Sequence, residues 1–154
     1  MPMILGYMRW VLPAVCGAFL IAAAAERAPL AGPSPDGEEV YLHNCMDCHQ
    51  DGAGTPGLVP PLDGAPWVDG YPDRIIRVLL NGLTGEVVVE GVTYNGVMPG
   101  WRNLLSDEEI AAVLTYIRSA WDNDAGPVTP EEVATIRAAT ADRTTPWTAA
   151  ELAD

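Results

Sequence analysis

Three stretches of the chain repeat apolar residues at helical spacing. In "PDRIIRVLLNG", Ile75, Ile76, Leu79 and Leu80 share one side of a 3.6-residue period, with Asn81-Gly82 as a stop signal. In "LSDEEIAAVLTYIRSAW", the apolar set Ile110, Val113, Leu114, Ile117 and Trp121 follows Ser106 and Glu109, which have capping-box spacing. Thr129 and Glu132 repeat that signature, with Pro130 at the first helical position, ahead of Val133 and Ile136. A further helix is predicted from about Gly37 to Cys48, opened by Asp36 and by acids in its first turn. The β-branched run "GEVVVEGVTYNG" breaks at Glu90-Gly91 and predicts a small hairpin.

Between these elements the chain is rich in glycine and proline. The stretch from Gln50 to Asp73 is longer than an ordinary connection, a length that suits a segment wrapped around a ligand. Fourteen prolines and fifteen glycines against a single phenylalanine point the same way, to a core completed by something other than aromatic side chains. The expected class is mostly α, one domain with extensions, carrying a small β-hairpin before Met98.

The amino terminus has a different pattern. Arg9 precedes an uncharged run from Trp10 to Ala25, ending in three alanines before Glu26. The run is shorter than the roughly 20 residues that span a bilayer, and its layout is that of a secretory signal peptide cleaved near Ala25. A retained anchor over residues 4–25 is the alternative. Cleavage removes Cys16, leaving Cys45 and Cys48 as the thiols of an exported chain, where both need a covalent explanation. It also removes Arg9, so the formal charge of −13 becomes −14, and no lysine occurs anywhere. Nucleic acid and anionic lipid are poor partners for such a surface.

"NCMDCHQ" at residues 44–50 concentrates the remaining chemistry. Cys45, Cys48 and His49 admit four readings: a redox dithiol, a zinc ligand set, a local disulfide or a haem anchor. Zinc needs four ligands, and outside the motif the mature chain offers only His43. A thioredoxin-type dithiol needs a strand running into the motif, whereas a helix is predicted there. A bare disulfide leaves His49 without a role. Cys-x-x-Cys-His as a c-type haem attachment uses all three residues: two thiols add to the vinyl groups on one porphyrin edge and the imidazole comes under the iron. The sixth iron ligand is then sought among the remaining residues. Met98, in "YNGVMPGW", is the one methionine beyond the motif, and Pro99 stiffens the backbone beside it. His43 is the rival, but it sits on the same helix as the cysteines.

With these residues the sequence resembles the class I c-type cytochromes over about residues 36–121. Gly37 and Tyr41 look like the family's glycine and aromatic on the first helix, with Tyr116 as the matching aromatic on the last. "VPPLDG" is similar to the family's proline-x-leucine-x-glycine segment. The resemblance implies that the Pro60 carbonyl accepts a hydrogen bond from the distal ring nitrogen of His49 and that Leu62 packs on the haem. It implies helices wrapped around one haem c attached through Cys45 and Cys48, with His49 and Met98 as metal ligands. Trp67, Tyr71, Arg74, Arg77, Tyr94, Asn95 and Trp101 are candidates to line the haem edge as donors or packing groups. A narrower similarity is to cytochrome domains that accompany periplasmic dehydrogenases or copper nitrite reductases.

The organisation expected is a signal peptide at 1–25, a linker at 26–35, a cytochrome domain at 36–125 and a helical extension at 126–154. The function expected is a periplasmic one-electron carrier, not an enzyme. Its donor is a dehydrogenase or quinol-oxidising complex, its acceptor a terminal oxidase or reductase, and its partners present basic surfaces. Membrane contact is expected only if the amino-terminal segment is kept. The alternatives are an obligate haem subunit of a dehydrogenase or reductase complex, and a haem sensor or enzyme in which Met98 dissociates.

Overall fold

A computed structural model describes residues 34–153. The leader and most of the linker expected from the sequence lie outside the described residues. Six α-helices follow in order: α1 (Gly37–Asn44), α2 (Met46–His49), α3 (Pro66–Asp69), α4 (Pro72–Asn81), α5 (Asp107–Ser119) and α6 (Pro130–Ala139). Strands β1 (Val87–Val89) and β2 (Val92–Tyr94) form an antiparallel hairpin between α4 and α5, with Val87 opposite Tyr94. A 3-10 turn at Ala149–Leu152 ends the described chain. No helix among the described residues is long and apolar enough to cross a membrane.

Local chemistry explains the boundaries. The Asp36 carboxylate accepts from the amides of Glu38 and Glu39, which starts α1. Ser106 with Glu109, and Thr129 with Glu132, form complete capping boxes on α5 and α6. A third box, Thr148 with Glu151, holds the final turn. The first helix departs from expectation by breaking at Cys45, whose φ of −118° interrupts it. Cys48 and His49 both donate their amides to the Cys45 carbonyl, so the chain restarts at once as α2. The break puts the Cys45 side chain in the core and leaves Cys48 exposed.

α1 packs across α5, and α4 and α6 close the other side of α5. At Gly37 the approach is too close for a side chain: a Cβ there would lie 2.2 Å from the Ala112 carbonyl oxygen. Tyr41 and Tyr116 meet beside this crossing with ring centroids 5.5 Å apart, and Trp121 closes on both. The most deeply buried large side chains are Tyr41, Ile76, Leu80, Ile110, Val113 and Val133. Val133 belongs to α6, so the carboxy-terminal segment shares this core. Arg118 ties the layers together, donating from α5 to the carbonyls of Val68, Gly70 and Gly126. Its desolvation is offset because the guanidinium finds three carbonyl acceptors in the packing.

Candidate haem-binding site

α2 delivers Cys48 and His49 to one cavity, while Cys45, just before the helix, is buried in the core. His49 is buried at the end of that helix, and Gln50 follows in a left-handed conformation (φ 53°) that turns the chain away. Tyr41 fixes the turn by donating its hydroxyl to the Gln50 carbonyl at 2.7 Å, and burial pushes its own pKa up to about 12. The returning loop is pressed close: at Gly54 (φ +66°) a Cβ would meet the carbonyl oxygens of Val59 and Pro60 at 2.4 and 2.6 Å. That packing sets Pro60 beside the His49 ring.

Burial lowers the His49 pKa, which favours the neutral imidazole that a metal can use. The Pro60 carbonyl opposes this by favouring a protonated ring nitrogen. His49 Nδ1 is buried and has no partner within normal hydrogen-bond geometry. The Pro60 carbonyl is thus near enough to influence the ring, but no hydrogen bond to Nδ1 is formed within that geometry.

Cys48, His49, Val59, Pro60, Leu83, Val87, Met98 and Pro99 line one cavity of about 210 Å³, in which apolar surface dominates. A more open groove of about 450 Å³ beside Asp36 and α5 contains none of the motif residues, so size does not mark the site. Part of the wall is the segment carrying Met98. Leu83 and Met98 exchange both backbone hydrogen bonds (3.0 and 2.9 Å), and the amides of Trp101 and Arg102 donate to Leu79 and Leu80 at the end of α4. Gly96 touches the Leu58 carbonyl so closely that a Cβ would lie 2.2 Å from its oxygen. Leu58 and Val97 remain 53% and 75% exposed at the cavity's mouth. A buried imidazole, the Cys48 thiol, the Met98 thioether and an apolar lining share this cavity, a donor set and environment that suit a haem c, while Cys45 lies in the core beside it rather than in the lining.

The other predicted residues stand elsewhere. Leu62 is half-buried against the core, with its amide on the Gly52 carbonyl. Trp67 lies under the Arg74 guanidinium (4.7 Å), and Arg77 pairs with Asp73. Tyr94 is buried in β2, Asn95 is exposed, Tyr71 is largely exposed and Trp101 packs on the core. None of these lines the cavity with His49 and Met98. His43 is exposed on α1, its ring nitrogen at the Glu39 carbonyl. Sequence reasoning missed Leu58, Val59, Leu83 and Val87, whose loop and hairpin positions carry no helical period. The signal available was a run of apolar residues in loops that otherwise had no reason to be apolar.

A family model described as cytochrome c oxidase, cbb3-type, subunit III, matches residues 33–117. The chain belongs to the cytochrome c family. Cytochrome c-552 of Thermus thermophilus is 43% identical over 119 residues, which cover 71% of this chain and 79% of that protein. The cytochrome c subunit of a quinone alcohol dehydrogenase from Gluconobacter oxydans is 38% identical over 110 residues, but these cover only 23% of that subunit. The gluconate 2-dehydrogenase cytochrome c subunit of Pantoea cypripedii is 37% identical, with 24% of it covered. The cytochrome therefore carries a covalently attached haem c, and it is an electron-transfer protein of the class I type.

Proposed function

We propose that Cys45 and Cys48 form the thioethers to haem c, that His49 and Met98 are its two axial ligands, and that the cytochrome works as an exported single-electron carrier. The observation that supports the ligand set is the convergence of Cys48, His49 and Met98 on one apolar cavity. Bound haem c supplies an iron centre that gains and loses one electron. His49 would offer a neutral ring, and a hydrogen bond from it to the neighbouring Pro60 carbonyl would orient it and strengthen it as a donor. Met98 offers a thioether, a ligand that raises the reduction potential. If both side chains hold the iron they would exclude small substrates, which would leave electron transfer as the haem's chemistry, and the exposed Leu58 and Val97 would offer a partner its contact surface.

The partners proposed are a donor dehydrogenase or quinol-oxidising complex and a terminal oxidase or reductase, met in the periplasm. The dehydrogenase cytochrome subunits among the relatives support the donor class. They also favour a second reading, a haem subunit bound to its dehydrogenase, which co-purification from native cells would reveal. Charge supports a partner with a basic surface. Each of the six arginines among the described residues is engaged, on a ring, a carboxylate or a backbone carbonyl, while most acids have no cation. The cavity lining itself carries no charged residue. Attraction thus acts over about one Debye length, roughly 8 Å at physiological salt, and contact is made by uncharged groups.

The ligand set is tested by the weak long-wavelength sulfur-to-iron absorption of the ferric protein. Met98→Ala is expected to abolish that band and to lower the potential. A band that persists in the variant removes Met98 from the ligand set.

A further inference from the structure

We propose that the carboxy-terminal segment 130–152 is a positioning element for the loop that carries Met98, acting through Leu83 and Arg102. The inference rests on the reading of Met98 as an axial ligand. Segment 82–84 is the middle member of three adjacent backbone runs. On one edge Leu83 pairs antiparallel with Met98; on the other it pairs parallel with Trp147. The Trp147 amide donates to the Gly82 carbonyl at 2.9 Å, and the Thr84 amide donates to the Trp147 carbonyl at 2.8 Å. A displacement of Trp147 therefore reaches Met98 through one intervening residue.

Trp147 is itself held on both sides. The Arg143 guanidinium lies 3.5 Å from its ring centroid, and Arg77 of α4 approaches from 5.5 Å. Arg143 is locked in turn: it donates to both carboxylate oxygens of Glu151 at 2.9 Å, and Glu151 is the partner of Thr148 in the capping box of the final turn. Asn81, at the end of α4, donates to the Arg143 carbonyl at 3.0 Å.

A second tether lies on the far side of the methionine. The Arg102 side chain donates to the carbonyls of Arg137 and Thr140 at 3.1 Å each, and to the Asn81 side-chain oxygen at 3.1 Å. Arg137 returns the contact, donating to the Leu105 carbonyl at 3.0 Å and pairing with Asp107. The loop is thus gripped by the same segment before and after Met98. Without these bonds, local opening of the loop costs less, and an opened loop leaves the iron to outside ligands.

The experiment uses the full-length ferric holoprotein, Trp147→Pro, Trp147→Phe and a chain ending at Asp142. Trp147→Pro removes the amide that bonds Gly82; Trp147→Phe keeps both backbone bonds and serves as the conservative control. Amide hydrogen exchange is read at Leu83, Met98 and Val113, and imidazole is titrated onto the iron. In the proline variant and the shortened chain, exchange at Leu83 and Met98 is expected to speed about tenfold, the effect of losing one or two backbone bonds. Val113 is expected to stay unchanged and imidazole affinity to rise by a similar factor, with Trp147→Phe near the parent. Unchanged exchange, unchanged imidazole affinity, or acceleration shared equally by Val113 overturns the inference. If the shortened chain does not fold, the Pro and Phe pair decides. A band retained in Met98→Ala overturns the ligand reading alone, and exchange at Leu83 then still decides whether the segment holds the loop.

Discussion

His49 leaves a helix and Met98 leaves a loop, and the two walls of the cavity differ in everything that follows from this. The His49 wall is α1 and α2 crossed on α5, where near neighbours in sequence supply the caps and one close contact, at Gly37, sets the crossing. The Met98 wall has no element of its own. It is a segment hydrogen-bonded to the end of α4, which is bonded in turn to Trp147 from the far end of the described chain. A helical wall resists local opening because its own turns hold it. A wall made of long-range bonds opens when a distant contact is lost. On the proposed ligand set, the methionine is the ligand held less firmly, and its retention would depend on parts of the chain that do not line the cavity.

The substitution with the largest expected effect is Gly82→Ala. Gly82 combines φ +85° and ψ 174°, a region essentially restricted to glycine, and a Cβ there would lie 2.4 Å from the Met98 carbonyl oxygen. Strain and overlap together are expected to cost about 2–4 kcal/mol. The damage is expected to fall on the Met98 wall, seen as a weakened long-wavelength band well below the melting temperature. An intact band with lower global stability would make the two walls alike.

Gly37→Ala probes the opposite wall. Its Cβ meets backbone atoms of α5, which cannot swing aside, and the expected loss is about 1–3 kcal/mol by denaturant unfolding. The folded variant is expected to keep the parent band, because no bond to Met98 is touched. A lost band would show that the two walls are coupled through α5.

Charge sharpens the contrast next. Glu38, Glu39 and Asp47 lie on α1 and α2, whereas residues 91–101 contain no charged side chain. The second-order electron-transfer rate with a basic partner is expected to fall several-fold as salt rises from low to physiological levels. Changing Glu39 and Asp47 to their amides is expected to flatten that slope. Stopped-flow rates that ignore salt would assign the acids to solubility alone.

The smallest expected effect is at Glu151. Its pKa is held below the ordinary carboxylate value, first by the Thr148 amide and then by Arg143. A depressed carboxylate stabilises the fold above its unfolded pKa, and the contribution disappears as pH falls through the lower folded value. Because Glu151 is an exposed residue, thermal melts of the parent and Glu151→Gln are expected to differ slightly at neutral pH and to converge in acid. Convergence that is missing would free Arg143 from this role.

The residues that could be read without a structure share one property: their signal is local. Three caps, the amphipathic faces of α4 and α5, the hairpin and the Cys45, Cys48 and His49 spacing each depend on residues within a few positions of one another, where backbone geometry fixes what can meet. Met98 was singled out for a different reason, scarcity, as the one methionine beyond the motif, and it does line the cavity with His49. Tertiary structure alone decided the rest. The helix broke at Cys45 because burial of that side chain and exposure of Cys48 require a change of direction that no local preference encodes. Trp67, Arg77, Tyr94 and Asn95 stand away from the cavity because tertiary packing, which local sequence does not encode, decides what each side chain meets. Leu83, bonded on one edge to Met98 and on the other to Trp147, is the clearest case. Its role comes from two pairings across 15 and 64 residues of sequence, and such pairings exist only once the chain has closed on itself.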